Sequence, residues 1–409
     1  MNKQILILLA IGLSLVSKSQ TIEEYYTLAA QNNSGLQAKY KSFEASLQKA
    51  AQVSSLPDPV LSFAYFISPV ETRVGPQQAR FSLRQMFPWF GSLKVQEEGA
   101  RLLAEAQYQE FLDARNKLYY QVAAAYYPLF ELKRISHLQA QNIKILASYK
   151  DIATLKFQNG QAEMIDVLRV DIMLKDASTN LSILKQKSTA LESRFNALLN
   201  RSEAEAIALP DSLFVLETPE AYRKDSLLLS NPLIDELSLK IAAAKASEEA
   251  AVKKGLPQLG LGLDYVLTGQ RTDMQLSDNG KDAIMPMISV SLPIFRKKYQ
   301  AARREAQLRQ ESFTLQQEDL ANRLNASYDM LWFQVQEQLE LISLYKGQIQ
   351  SAQQSLNLLI KAYANSGKDF EEVLRMQQQL LKYQELKASA LSQYYVSQAE
   401  LNYLTAKNQ

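Results

Sequence analysis

The chain of 409 residues contains no cysteine and a single histidine, His137. The first absence excludes disulfides, thiolate metal sites, a cysteine nucleophile and a lipid-modified N-terminal cysteine. One imidazole without any thiolate cannot form the core of a zinc or haem site. The sequence also has no phosphate-binding loop of the Walker type, no histidine-based triad and no convincing carboxylate pair. We therefore expect no enzymatic activity, no metal site and no cofactor.

An excess of charge of one sign is missing as well. The chain has 45 basic and 43 acidic residues, which leaves a formal net charge of +2. Nucleic-acid binding domains usually carry a strong basic excess. The composition therefore gives no support for a nucleic-acid partner.

Long hydrophobic runs are also scarce. The apolar run from Ile5 to Val16 follows Lys3 and precedes the small residues Ser17 and Ser19, which is the pattern of a secretory signal peptide. No later segment reaches the roughly 18 consecutive apolar residues that indicate a transmembrane helix. We predict a signal peptide over residues 1–19, and hence an exported protein without a transmembrane helix.

The most informative feature that is present is an internal duplication. Leu56-Pro57 before one alternating run recurs as Leu256-Pro257 before another, an offset of 200 residues. An offset this large indicates a doubled unit and not a short solenoid repeat. We predict a first repeat over 20–207, a connector over 208–232 and a second repeat over 233–409.

Each repeat contains two segments in which apolar and small or polar residues alternate, which predicts strands. They lie at about 60–68, 78–87, 258–267 and 284–292. Segments of about nine residues can cross the hydrocarbon core when tilted, and such alternation is typical of a barrel with lipid outside and water inside. A soluble hairpin packed on helices would alternate too. Four strands cannot close a membrane barrel, whereas three chains would supply twelve.

The strands of each repeat are followed by a long helical hairpin. Ser92 to Phe157 is rich in good helix formers and contains one glycine and one proline, Pro128, which should kink it. About 65 residues correspond to roughly 100 Å of helix. Asn159-Gly160 and Ser366-Gly367 are the predicted turns of the two hairpins. Residues 21–53 are also predicted to be helical. Apolar stripes with small residues between them suit a curved sheet of helices, although an ordinary coiled coil would explain the helices alone.

In this arrangement the chain resembles the TolC family of outer-membrane efflux proteins. The resemblance rests on the duplication, on the strand-to-helix motifs Phe87–Gly91 and Leu292–Phe295, and on the turn motifs Lys156–Leu168 and Tyr363–Leu374. In each turn motif a glycine precedes an acidic residue followed by Val-Leu in the next helix. The absence of an N-terminal cysteine departs from the lipidated members of the family.

The resemblance implies a mostly α-helical fold with a membrane β part. A homotrimer would share one β-barrel in the outer membrane and extend an α-helical tube into the periplasm. Its expected partners are a periplasmic adaptor and an inner-membrane transporter of the RND type, together with outer-membrane lipid. Its expected function is passive export of metal ions or small molecules from a tripartite efflux system. The stretch Phe370–Met376 resembles the metal-exporting Cus/Czc type, and drugs and peptides are the alternative cargoes.

The family also implies that the hairpin tips form the periplasmic entrance and contact the adaptor. The tip positions that match are Asn159, Gly160, Asp166, Tyr363, Ser366, Gly367, Lys368 and Glu372. Asp166 and Glu372 suit either an acidic ring that favours cations or ordinary charges near helix N-termini. Tyr363 and Lys368 suit either a hydrogen-bonded closed gate or a solvated helix end. The spacing from glycine to leucine is one residue shorter in the second motif.

The alternative from another functional class is a soluble periplasmic coiled-coil scaffold or adaptor subunit. An adaptor should show a compact β-rich segment of the lipoyl type beside a single helical hairpin. The sequence shows no such segment. The channel interpretation is therefore the main hypothesis.

Overall fold

The computed structural model describes residues 21–215, 231–366 and 370–407. The predicted signal peptide and most of the predicted connector lie outside these ranges. The described chain is mostly helical with one small antiparallel sheet, so this part of the predicted fold class is confirmed. Its elements are α1 (Ile22–Asn32), α2 (Ser34–Ser54), β1 (Val60–Val70), β2 (Gln77–Phe87), α3 (Ser92–Gln158), α4 (Met164–Leu198), α5 (Pro232–Lys254), β3 (Gln258–Thr268), β4 (Ala283–Ser291), α6 (Lys297–Ser366) and α7 (Phe370–Leu404).

The two longest helices are α3 with 67 residues and α6 with 70. Pro128 lies inside α3 without ending it. The segment predicted as one helix over 21–53 forms two helices, because Asn33 adopts an extended conformation between them. The Asn33 side-chain amide donates to the Leu198 carbonyl oxygen at 3.0 Å, and its side-chain oxygen accepts from the Leu36 amide at 3.0 Å. These two hydrogen bonds stabilise the interruption.

The four strands form one sheet in the order β1-β2-β3-β4, with every neighbouring pair antiparallel. Leu61 pairs with Leu83, and Leu83 pairs with Leu263, so apolar residues share one face. Ser82 pairs with Ser62 and Asp264 on the other face. The turn between β1 and β2 contains Gly75 at φ +129°, a conformation that a side chain would strain. The register thus separates an apolar from a polar face.

The described residues form two compact units. One comprises the described parts of the chain up to Gln37, from Ala114 to Asn231 and from Arg323 onward, and it contains both hairpin ends. The other comprises Ala38–Asp113 and Pro232–Asn322, and it contains the sheet. Each unit contains residues from both predicted repeats.

The unit with the hairpin ends has an apolar core shared by α3, α4, α6 and α7. Its buried members are Leu146, Ala153, Val167, Val170, Ala177, Ala352, Leu356, Tyr363, Phe370, Val373, Leu374 and Leu380. Small residues in this set allow the helix backbones to approach closely. Among the described residues, no helix combines the length and apolarity needed to cross a membrane.

Candidate functional site at the hairpin tips

The tip of the first hairpin is an open turn shaped by its backbone. Gly160 has φ +69°, and its amide donates to the Phe157 carbonyl oxygen at 3.0 Å. The Gln161 amide donates to the Lys156 carbonyl oxygen at 2.8 Å, so the last carbonyls of α3 are satisfied. Asn159 and Gly160 are exposed, and no atom lies within 4 Å of the place where a Gly160 Cβ would be. The predicted turn residues therefore lie at the surface of this tip.

The second hairpin has aromatic residues buried beside its turn. Tyr363 of α6 is 5% exposed, and Phe370 of α7 is also buried. Their rings stack with centroids 4.6 Å apart and planes inclined by 25°. Ser366 is the last residue of α6, while the predicted site residues Gly367 and Lys368 lie outside the described residues. The two helices of this hairpin are thus held together by an aromatic pair.

Lys156 joins the first hairpin to the second. Its ammonium nitrogen lies 4.1 Å from the centroid of the Tyr363 ring. The same nitrogen donates a hydrogen bond to the Tyr363 carbonyl oxygen at 2.9 Å. A cation over an aromatic face is attracted by the ring quadrupole, most strongly where water is excluded. The aromatic pair therefore also serves as a docking point for the first hairpin.

Asp166 lies in the first turn of α4, close to this docking point. Burial raises the pKa of its carboxyl, and the guanidinium of Arg169, 3.6 Å away, opposes that rise. Burial also raises the pKa of Tyr363, with a further contribution from the charge of Asp166. The Tyr363 hydroxyl is buried and has no hydrogen-bond partner among the described residues. The structure thus brings Asp166 and Tyr363 into one environment.

A second charged link between the hairpins runs from Arg169 to Glu371, whose nearest nitrogen and oxygen atoms are 3.0 Å apart. Glu372, which the sequence predicted as a tip residue, pairs with Arg375 on its own helix instead. The acidic residue that bridges the hairpins is therefore the neighbour of the predicted one.

Four tip residues were not singled out by the sequence: Lys156, Arg169, Phe370 and Glu371. Lys156, Phe370 and Glu371 are part of the turn motifs, but nothing in the motifs predicts which residue of the other hairpin each contacts. Both turns are flanked by basic and by acidic residues, so nothing in the sequence indicates which charges pair across the tips.

The surface of the first hairpin near its tip carries many exposed apolar side chains. They are Ile152, Leu155, Phe157, Met164, Ile165, Leu168 and Ile172. Clusters of this kind on a surface mark sites where another molecule binds. Within the described ranges, no group of three or more histidine, cysteine or acidic side chains is placed to hold a metal ion.

Comparison with known protein families gives a match to the C-terminal part of the chain. Residues 224–407 match the family described as outer membrane efflux protein. No curated protein matches the chain.

Solved structures with the same fold cover nearly the whole chain. The outer-membrane channel OprN superposes with a TM-score of 0.79 and 16% identity, over 94% of this chain and 89% of OprN. The outer membrane protein VceC of Vibrio cholerae gives 0.76 and 16%, over 94% of this chain and 95% of VceC. The channel CusC gives 0.76 and 15%, over 94% of this chain and 91% of CusC.

The sequence match and the structural matches agree on one group of proteins. At these identities the superpositions establish the fold, and the family match adds a relationship in sequence for the second repeat. The resemblance predicted from the turn and strand-to-helix motifs is confirmed. Residues 224–407 match the family of outer membrane efflux proteins, and the chain has the fold of the outer-membrane channels.

Proposed function

We propose that the protein is the outer-membrane exit duct of a tripartite efflux system, a passive channel through which metal ions or small molecules leave the cell. The observation that carries this proposal is the apolar face of the sheet. Its side chains are exposed on all four strands, at Leu61, Phe63, Tyr65, Ile67, Phe81, Leu83, Leu261, Leu263, Tyr265, Ile284, Ile288 and Val290. A soluble protein rarely exposes so large an apolar surface, whereas lipid solvates it without cost.

The proposal also accounts for the two edges of the sheet. β1 and β4 each have a neighbour on one side only. In lipid an unpaired strand edge is not tolerated, so β4 of one copy must pair with β1 of the next. Three copies would give twelve strands, within the size range of known membrane barrels. The soluble scaffold has no comparable use for this sheet.

The hairpin tips are the proposed entrance and partner surface. The links from Lys156 to Tyr363 and from Arg169 to Glu371 hold the hairpins together, so breaking them is a means of opening. The exposed apolar side chains of the first hairpin suit a periplasmic adaptor that packs helices against them. The inner-membrane transporter that supplies the energy is proposed to be of the RND type. The tip residues Asn159, Gly160, Asp166, Tyr363, Ser366, Gly367, Lys368 and Glu372 retain their proposed roles at this entrance.

The experiment compares two variants, Leu61→Glu and Ser62→Glu, which change neighbouring residues on opposite faces of β1. A carboxylate at Leu61 would face lipid and should strongly reduce the trimer recovered from outer-membrane fractions. A carboxylate at Ser62 lies on the polar face and should leave the trimer intact. The trimer is scored by its heat-dependent migration in mild detergent. Equal recovery of both variants, or a protein found only as a soluble periplasmic monomer, would overturn the proposal.

A further inference from the structure

A cavity of about 500 Å³ lies where the strands give way to the long helices, within the unit that contains the sheet. Its lining comes from the ends of α2 and α5, the start of α3 and the adjoining strand ends. The residues that matter for its chemistry are Leu56, Asp58, Trp89, Ser92, Lys253 and Lys254. The cavity therefore includes part of the strand-to-helix motif Phe87–Gly91, which the proposed channel function leaves unexplained.

The start of α3 presents positive charge to this cavity. The first amides of any helix lack intrahelical acceptors, and the N-terminus carries a partial positive charge. The first turn of α3 has no acidic residue and contains Lys94. No carboxylate of that turn therefore offsets the positive helix end.

Lys253 adds a full positive charge to the same place. A Cβ on Gly91 would lie 2.8 Å from the Lys253 ammonium nitrogen, so the ammonium is packed against the residue that precedes α3. Gly91 has φ +74°, which also favours glycine there. Lys253 pairs at 3.2 Å with Glu249 of the same helix, which is not part of the cavity lining. An ammonium beside a positive helix end is unfavourable unless an anion lies between them.

Ser92 provides an observation independent of these charges. The residue is only 2% exposed, and it lines the cavity. Its hydroxyl has no hydrogen-bond partner in the described part of the chain. Buried hydroxyls nearly always have a partner, because burying one without a hydrogen bond is costly. A ligand in the cavity would supply the missing partner.

We propose that this cavity binds a phosphate group. The Ser92 hydroxyl and the amides of Leu93 and Lys94 would donate to its oxygens, with Lys253 and Lys254 supplying charge. The Ser92 amide already donates to the Trp89 carbonyl oxygen, and the Val95 amide to that of Gly91. Asp58 is the one acidic residue in the lining, and the two lysines outnumber it. A phosphate, with several acceptor oxygens and up to two charges, matches this set of donors better than a carboxylate does.

The phosphate has two possible sources, free phosphate and a lipid head group. The exposed aromatic side chains of Trp89 and Phe90 at the strand ends suit the apolar part of a lipid. The lipid source rests on the proposed function, because only a sheet inserted in a membrane brings head groups to the strand ends. Phosphate binding itself does not depend on the channel.

The test is isothermal titration of the full chain, purified in a neutral detergent, with inorganic phosphate and with dihexanoylphosphatidylglycerol as probes. The double variant Lys253→Gln/Lys254→Gln should weaken binding of the preferred probe by about tenfold or more. Lys245→Gln removes the same charge from an exposed position on α5 outside the cavity, and should bind like the wild type. Tighter binding of the lipid identifies a head-group site, and tighter binding of inorganic phosphate identifies a free-phosphate site.

Ser92→Ala keeps the proposal testable if the lysine variant misfolds. It removes a buried hydroxyl that has no partner, so a purely structural role predicts an equal or higher melting temperature and unchanged binding. The proposed site predicts an equal or higher melting temperature without phosphate but severalfold weaker binding. Binding of neither probe to the wild type, or unchanged affinity in both variants, would overturn the proposal. Channel conductance in planar bilayers, measured separately, tests the proposed function alone.

Discussion

The two hairpin tips occupy equivalent places in the duplicated chain but have opposite character. The first tip is open, with Asn159 and Gly160 exposed and Phe157 43% exposed. The second has Tyr363 and Phe370 stacked and buried beside its turn. The two hairpins are of similar length, but only the second has an aromatic pair next to its turn that belongs to the shared apolar core.

The difference gives each hairpin a separate role in the contact between them. The first hairpin contributes cations, Lys156 and Arg169. The second contributes the aromatic ring of Tyr363 and the carboxylate of Glu371. Each link therefore joins a cation of the first hairpin to an aromatic ring or a carboxylate of the second. These links add to the apolar core that the two hairpins share.

The largest expected effect comes from removing the aromatic pair. Phe370→Ala should lower the local stability of the second tip by about 3–5 kcal/mol, because it deletes a buried ring and leaves a cavity. Hydrogen exchange of the backbone amides near Tyr363 measures this local opening. Phe157→Ala in the first tip is the control, since an exposed ring should cost little. Comparable acceleration of exchange in both tips would show that they do not differ as described.

The second largest effect is expected at Gly160, where a substitution tests whether backbone conformation alone shapes the first tip. Gly160→Ala should destabilise the α3–α4 turn by about 1–2 kcal/mol, because an L-residue is strained at positive φ. No neighbouring atom would clash with the new methyl group. Gly347 lies inside α6 and is equally free of neighbours, so Gly347→Ala should stabilise its helix by about 1 kcal/mol. Hydrogen exchange of each segment measures whether its local stability falls or rises. A loss of stability in both variants would contradict the argument.

Much of the fold could be predicted because its signals are local. Alternation in 60–68 and 258–267 marks strands, and the scarcity of glycine and proline in the long segments marks helices. The turn at Asn159-Gly160 follows from the left-handed conformation that glycine tolerates. Each of these depends on residues within one or two turns of each other. The fold class could be predicted because these signals are local.

The contacts between hairpins could not be predicted, because they join residues far apart in sequence. Lys156 and Tyr363 are separated by 207 positions. The break at Asn33 likewise depends on a hydrogen bond to the carbonyl of Leu198, 165 positions away. The choice of Glu371 over Glu372 as the bridging acid depends on the rotation of α7 about its axis. Such choices are made by tertiary packing and leave little trace in local patterns.

The smallest expected effect separates two acidic residues of α4, both near the first tip. Hydrogen bonds from Lys150 and then Lys175 lower the pKa of Asp171 to about 2, so its stabilising contribution is present above the usual pKa of 3.8 and is lost as the pH falls toward 2. Burial raises the pKa of Asp166 above 3.8, so its carboxylate opposes the folded tip at neutral pH, and this penalty disappears as the pH falls through the raised value. Asp171→Asn should therefore speed hydrogen exchange of α4 amides at pH 7, whereas Asp166→Asn should slow it slightly or leave it unchanged.

Comparing each variant with the wild type at the same pH cancels the intrinsic exchange rates. At pH 4 the Asp166 difference should shrink while the Asp171 difference persists, and the reverse order would show that Arg169, and not burial, dominates the charge state of Asp166.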